Sequence, residues 1–149
     1  MNDGVLSAIG KTPVVRLSRV IPDAHFKLYA KLEGLNPGGS TKDRPAFSII
    51  RHAIDSGDIQ PGTVVIESSS GNMGIGLAQA CMYYGLRFIC VVDPRTTLQN
   101  IKLMQAYGAE IDMTEAPDPQ TKEFLLSGSG QLHVETVVEK LKNRYHVEV

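Results

Sequence analysis

The sequence predicts an α/β protein built on a parallel sheet with flanking helices. Short runs rich in β-branched residues alternate with apolar stripes at helical spacing. Turn residues separate them: Gly57-Asp58, Pro61-Gly62, Gly85, Asp93-Pro94 and Gly108. The run Arg87-Phe88-Ile89-Cys90-Val91-Val92 is apolar almost throughout, as expected for a strand covered on both faces. Strands that alternate with helices form parallel sheets with right-handed crossovers.

Val5, Leu6 and Ile9 predict a short first helix ended by Gly10, and residues 12–17 an edge strand with Pro13 near its start. Residues 21–26 read as a loop and residues 27–33 as a strand feeding the turn Asn36-Pro37-Gly38-Gly39-Ser40-Thr41-Lys42-Asp43-Arg44-Pro45. A helix over residues 43–56 follows, with Ala46, Ile49, Ile50, Ala53 and Ile54 on one face. Thr63-Val64-Val65-Ile66-Glu67 is a strand, Ser68-Ser69-Ser70-Gly71-Asn72 a loop, and Ile75, Leu77, Ala78, Cys81 and Met82 mark the next helix. After the apolar strand, Thr97 caps a helix bearing Leu98, Ile101, Met104 and Tyr107, which Gly108 ends. Residues 109–113 form another strand. Beyond Pro117-Asp118-Pro119, residues 123–127, a stripe from Leu132 to Tyr145 and residues 146–149 predict a small β-α-β tail.

A chain of 149 residues has room for one ordinary domain. Hydrophobic residues at 42% and charged residues at 21% describe a globular chain rather than a disordered one. A net charge of −1 gives no reason to expect nucleic acid or an anionic membrane as partner. No segment has the apolar length to span a membrane, and the start lacks a signal-peptide pattern. Cys81 and Cys90 lie in apolar segments without metal spacing, so they read as reduced core residues of a cytoplasmic protein.

The turn at residues 36–45 delivers Lys42 to the start of a helix, where free N–H groups and the helix dipole are positive. A cation is disfavoured there, which favours the neutral amine that attacks carbonyls. Taken alone, Lys42 reads more simply as a solvated lysine in a polar loop. Loops that follow the strands of a parallel sheet gather at one edge, however, and the serine loop follows a strand as well. The two loops are therefore expected to share a crevice. The hydroxyls of Ser68, Ser69 and Ser70, with a helix N-terminus, make a nest of donors for an anion. A capped helix packed closely on the sheet explains the same residues equally well. Gly71, Gly74 and Gly76 are spaced G-x-x-G-x-G, not G-x-G-x-x-G, and no lysine follows them as in a nucleotide P-loop. A carboxylate therefore fits better than a diphosphate. His52 reads as a surface residue, His133 and His146 as too far apart for a metal pair, and Glu67 as a structural hydrogen-bond partner.

Residues 36–44 and Glu67-Ser68-Ser69-Ser70-Gly71-Asn72-Met73-Gly74 resemble two signatures of the pyridoxal-phosphate β-replacement enzymes, the cysteine synthase and cystathionine β-synthase group. Residues 9–17 resemble that group's opening segment, Tyr107-Gly108-Ala109-Glu110 also fits, and the likeness covers residues 6–117. The resemblance implies the N-terminal part of the tryptophan synthase β-subunit-like fold, pyridoxal 5'-phosphate as cofactor and an amino-acid substrate; a sheet left uncovered on one side leaves room for a homodimer. It implies Lys42 as the Schiff-base lysine and base, and Asn72 as partner of the cofactor's ring hydroxyl. Ser69, Ser70, Gly71, Asn72 and Met73 would hold the substrate carboxylate. Met73 replaces the threonine common in cysteine synthases, which removes one donor. Residues 90–97 look closer to the siderophore-pathway branch that makes N-(2-amino-2-carboxyethyl)-glutamate from O-phosphoserine and glutamate.

Residues 118–149 resemble the third domain of elongation factor G, which carries no chemistry, so the chain reads as a chimera joined near residues 117–119. The later half of the enzyme group supplies a phosphate loop and a hydroxyl facing the pyridine nitrogen. Neither is evident, and the resemblance implies a truncated chain with an incomplete site. Ser127-Gly128-Ser129-Gly130 is either a packing turn or a substitute phosphate cradle. The competing expectation is a non-catalytic chain, either a remnant or a translation-factor-like module.

Overall fold

The computed structural model describes residues 4–21 and 25–113, so the tail elements, the proposed junction and the Ser127–Gly130 turn lie outside the described residues. The chain opens with a 3-10 turn, Val5–Ala8, where a short helix is predicted. Strands β1 (Val14–Arg16) and β2 (Tyr29–Lys31) form an antiparallel pair, Val15 opposite Ala30. Leu17 N–H to Leu28 O and Leu32 N–H to Pro13 O, both 2.9 Å, extend the ladder.

This pairing corrects the expectation that residues 27–33 form a strand of the parallel sheet. The backbone of residues 13–17 takes up one edge of β2, and Lys31 Nζ donates to Thr12 O at 2.8 Å. The strand is also shorter than expected. Glu33 is drawn out of it by bonds to Thr12, Asn36 and Arg44, and the chain enters a 3-10 turn, Glu33–Leu35.

Helix α1 spans Asp43–Ser56 and ends at Gly57, whose φ of 86° suits a residue without Cβ. Its buried face is narrower than the stripe predicts: Ala46 and Ile50 are inside, while Ile49 is 52% exposed. Strands β3 (Val64–Ser68), β4 (Arg87–Val92) and β5 (Glu110–Met113) form a parallel sheet in that order, joined by α2 (Asn72–Tyr84) and α3 (Leu98–Ala106). Right-handed crossovers between successive neighbours put α2 and α3 on one face. There Phe88, Cys90 and Val92 meet Ala78 and Cys81 of α2, Met104 of α3, and Ala46 and Ile50 of α1. Ile89 and Val91 point the other way, against Val64 and Ile66, so β4 is buried on both faces as expected. Fully burying a side chain such as Phe88 or Ile50 contributes about 1.5–3 kcal/mol, against about 1 kcal/mol net for a neutral hydrogen bond. The core therefore fixes how α1 and α2 sit, and polar contacts tune the loops at their ends.

Candidate active site

Glu33 is the hub of the lysine turn. Arg44 donates Nε and Nη2 to its two carboxylate oxygens at 2.7 and 2.8 Å, the Thr12 hydroxyl donates at 2.8 Å, and Asn36 Nδ2 at 3.0 Å. Arg44 Nη2 also reaches Gly10 O at 3.1 Å, and Gly10 N–H donates to Asn36 Oδ1 at 2.9 Å. The Arg44 guanidinium, helped by Thr12 and Asn36, holds the Glu33 carboxyl well below the usual carboxylate range. Across the turn, Gly38 N–H donates to the Asp43 carboxylate, and a Cβ on Gly38 would lie 2.5 Å from Asp43 Oδ1. Asp43 is buried, and that burial pushes its carboxyl up.

These contacts fix the backbone on both sides of Lys42. Its N–H donates to Ser40 Oγ at 3.1 Å and its carbonyl accepts from Ala46 N–H at 3.1 Å, so Lys42 sits at the helix boundary with Ser40 bracing the turn before it. The lysine side chain is exposed, and among the described residues its Nζ has no hydrogen-bond or ion-pair partner. Glu33, Thr12, Asn36 and Asp43 were not evident as members of this site from sequence. The pairing of acidic Glu33 with basic Arg44 across the glycine turn was the available signal.

The backbone of Lys42 does approach the helix that follows the serine loop, for a reason other than the predicted one. The lysine turn does not follow a strand of the parallel sheet. The two are joined instead by the packing of α1 on α2 at Gly76. A Cβ there would lie 2.9 Å from Ala46 Cβ and 3.2 Å from Lys42 O. Asn72 is one helical turn before Gly76, so Lys42 and the N-terminus of α2 occupy the same end of the packed pair.

The serine loop is anchored from below. Ser69 N–H donates to Val91 O at 3.0 Å, and Cys90 Sγ donates to Ser69 O at 3.3 Å. Ser69 Oγ accepts from Gly74 N–H at 2.9 Å and Ser70 Oγ from Asp93 N–H at 3.3 Å. A hydroxyl that accepts in this way still has its O–H to donate, which is what an anion requires. Among the described residues, the N–H groups of Gly71, Asn72 and Met73 have no acceptor. They lie at the positive end of α2. Asn72 is exposed, whereas the Met73 side chain packs against the core, so Met73 offers the loop its N–H and not its side chain.

Elsewhere, His52 is exposed on α1, and Glu67 is exposed with no side-chain hydrogen bond among the described residues. The structural bonding expected of Glu67 is therefore not seen. His133 and His146 lie outside the described residues. Among the described residues no group of three His, Cys, Asp or Glu could hold a metal, and no helix is long and apolar enough to cross a membrane.

A family model of pyridoxal-phosphate dependent enzymes matches residues 5–147, and the chain belongs to that family. Among solved structures, the chain is similar to a hydrogen sulfide-producing enzyme from Fusobacterium nucleatum. The identity is 36% and the TM-score 0.78, over 97% of this chain and 43% of that one. An O-acetylserine dependent cystathionine β-synthase from Helicobacter pylori is 37% identical with a TM-score of 0.69, over 76% of this chain and 38% of that one. Cysteine synthase from Entamoeba histolytica is 32% identical with a TM-score of 0.76, over 96% and 40%. The chain thus spans about two fifths of the length of these enzymes. The family match runs past residues 117–119, across the junction that the sequence implies.

The family's cofactor needs a primary amine for its carbonyl carbon and polar partners for its ring. The residues present fit it. Lys42 offers an amine without a competing partner among the described residues. A Cβ on Gly71 would meet nothing within 4 Å, so open space lies directly before the loop.

Proposed function

We propose that this chain carries the lysine-bearing half of a pyridoxal-phosphate β-replacement site that acts on an O-activated serine. The observation that carries the reading is the contact at Gly76, which sets the backbone of Lys42 beside the helix that opens at Asn72. Bound pyridoxal phosphate supplies the electron withdrawal that lets the substrate's Cα release a proton. Lys42 Nζ would hold the cofactor and, as the nearby base, would take the Cα proton. Asn72 would offer its side-chain amide to the cofactor's ring oxygen. The Ser69 and Ser70 hydroxyls, with the N–H groups of Gly71, Asn72 and Met73, hold the substrate carboxylate.

Two of the similar enzymes are named for O-acetylserine or cysteine chemistry, which supports a serine derivative as substrate. Met73 in place of threonine, with the sequence of residues 90–97, favours the aminocarboxyethyl-glutamate branch over cysteine synthesis within that class. The buried thiols of Cys81 and Cys90, both unpaired, support a cytoplasmic setting. A homodimer fits the exposed Val14, Tyr29 and Leu35.

Deuterium exchange at Cα tests the reading without knowledge of the nucleophile. With pyridoxal phosphate and L-serine in D2O, the chain is expected to exchange the Cα proton about a hundredfold faster than the Lys42→Ala variant. Equal rates in the two proteins, at the level of the free cofactor, would overturn the assignment.

A further inference from the structure

We infer that Asn100 is a positioning residue for the carboxylate-binding loop: its side-chain amide fixes the Ser70–Gly71 peptide so that the Gly71 N–H faces the substrate. The inference rests on the reading above that this loop takes the amino acid's carboxylate. Asn100 lies in the first turn of α3, thirty residues along the chain from Ser70, and its Nδ2 donates to Ser70 O at 3.0 Å. Only the NH2 end of the amide can serve a carbonyl, so the orientation of Asn100 is fixed by chemistry. The peptide that carries this carbonyl also carries the Gly71 N–H, and in a planar trans peptide the two point in opposite directions. Drawing the carbonyl onto α3 therefore turns the Gly71 N–H away from α3.

Gly71 cannot hold that plane by itself. It lacks a Cβ, it sits in extended backbone at φ −132°, and its surroundings are open. The bond from Asp93 N–H to Ser70 Oγ ties the side chain of Ser70 and leaves the following peptide free to rotate. Asn100 supplies the missing constraint. Its backbone N–H donates to Thr97 Oγ1 at 3.4 Å, a cap that steadies the end of α3 and leaves the side-chain amide to Ser70. The connection from β4 to α3 thus reaches back across the sheet edge to set the donors of the β3–α2 loop.

The test is a titration of the full 15N-labelled chain, loaded with pyridoxal phosphate, with L-serine, read from the amide shifts of Gly71, Asn72 and Met73. Asn100→Asp keeps the shape but places an acceptor against Ser70 O, and Asn100→Ala removes the group. Both are expected to weaken L-serine about fivefold, the size of one neutral hydrogen bond, with the largest loss of shift at Gly71. Thr97→Ala removes the cap from the same helical turn without touching Ser70, so it is expected to lower the melting temperature and leave L-serine affinity native. If Asn100→Ala fails to fold, the isosteric Asn100→Asp decides. Native affinity in Asn100→Asp, or an equal loss in Thr97→Ala, would overturn the inference. If L-serine moves none of the three amides in the native chain, the carboxylate reading itself fails and this inference fails with it.

Discussion

Gly71, Gly74 and Gly76 stand within six residues, and each meets a different neighbour. A Cβ on Gly74 would lie 2.8 Å from Met104 Sδ and 3.1 Å from Cys90 Sγ, so this glycine lets α2 settle on β4 and α3. A Cβ on Gly76 would press on Ala46 and Lys42. At Gly71 a Cβ would meet nothing. A pair of alanine variants separates packing from function. In Gly76→Ala, overpacking of about 1–3 kcal/mol competes with a helix-propensity gain of about 1 kcal/mol. We expect a net loss of up to about 2 kcal/mol and a displaced Lys42. Gly71→Ala is expected to stay within about 0.5 kcal/mol of the native chain, because its extended backbone suits alanine. Its methyl group nevertheless enters the space before the loop, so cofactor binding is expected to fall. Thermal melts paired with cofactor titration check both. A Gly71→Ala chain that binds cofactor as the native chain does would contradict the placement of the site.

At the scale of elements, the lysine turn holds two carboxylates whose ionisation acts on stability with opposite sign. Glu33 is held below its ordinary range by Arg44, so its contribution is present above its unfolded value and is lost as pH falls. Asp43 is raised by burial, so its contribution is present at low pH and is lost as pH rises through its folded value. As pH rises from about 3 to about 5, through the ordinary carboxylate range, the melting temperature of Glu33→Gln should fall progressively behind that of the native chain. That of Asp43→Asn should gain on it over the same range. Slopes of the same sign in the two variants would refute the pairing.

None of this was legible from periodicity. The bonds of Glu33 to Thr12 and Arg44, like that of Asn100 to Ser70, join residues 11 to 30 positions apart, and no local pattern records them. The antiparallel partner of β2 was hidden for the same reason. What local chemistry controls was readable: the limits of α1, the Thr97 cap, and the burial of β4 on both faces.

For the whole molecule, a helix pair packed on a parallel sheet sets the backbone of Lys42 against α2 at Gly76. The two loops of the proposed site were legible as motifs, and a shared crevice was expected of them. The close approach of α1 to α2 at Gly76 emerges only from packing across the fold. The chain's membership of the pyridoxal-phosphate dependent family makes the arrangement directly testable in its cofactor. The most direct measurement is borohydride reduction of the chain with pyridoxal phosphate, followed by peptide mapping of the modified lysines. We expect visible absorbance before reduction and one dominant phosphopyridoxyl adduct on Lys42, with the exposed Lys11, Lys27 and Lys102 modified only at trace level. An adduct spread evenly over those surface lysines, or none on Lys42, would contradict the account.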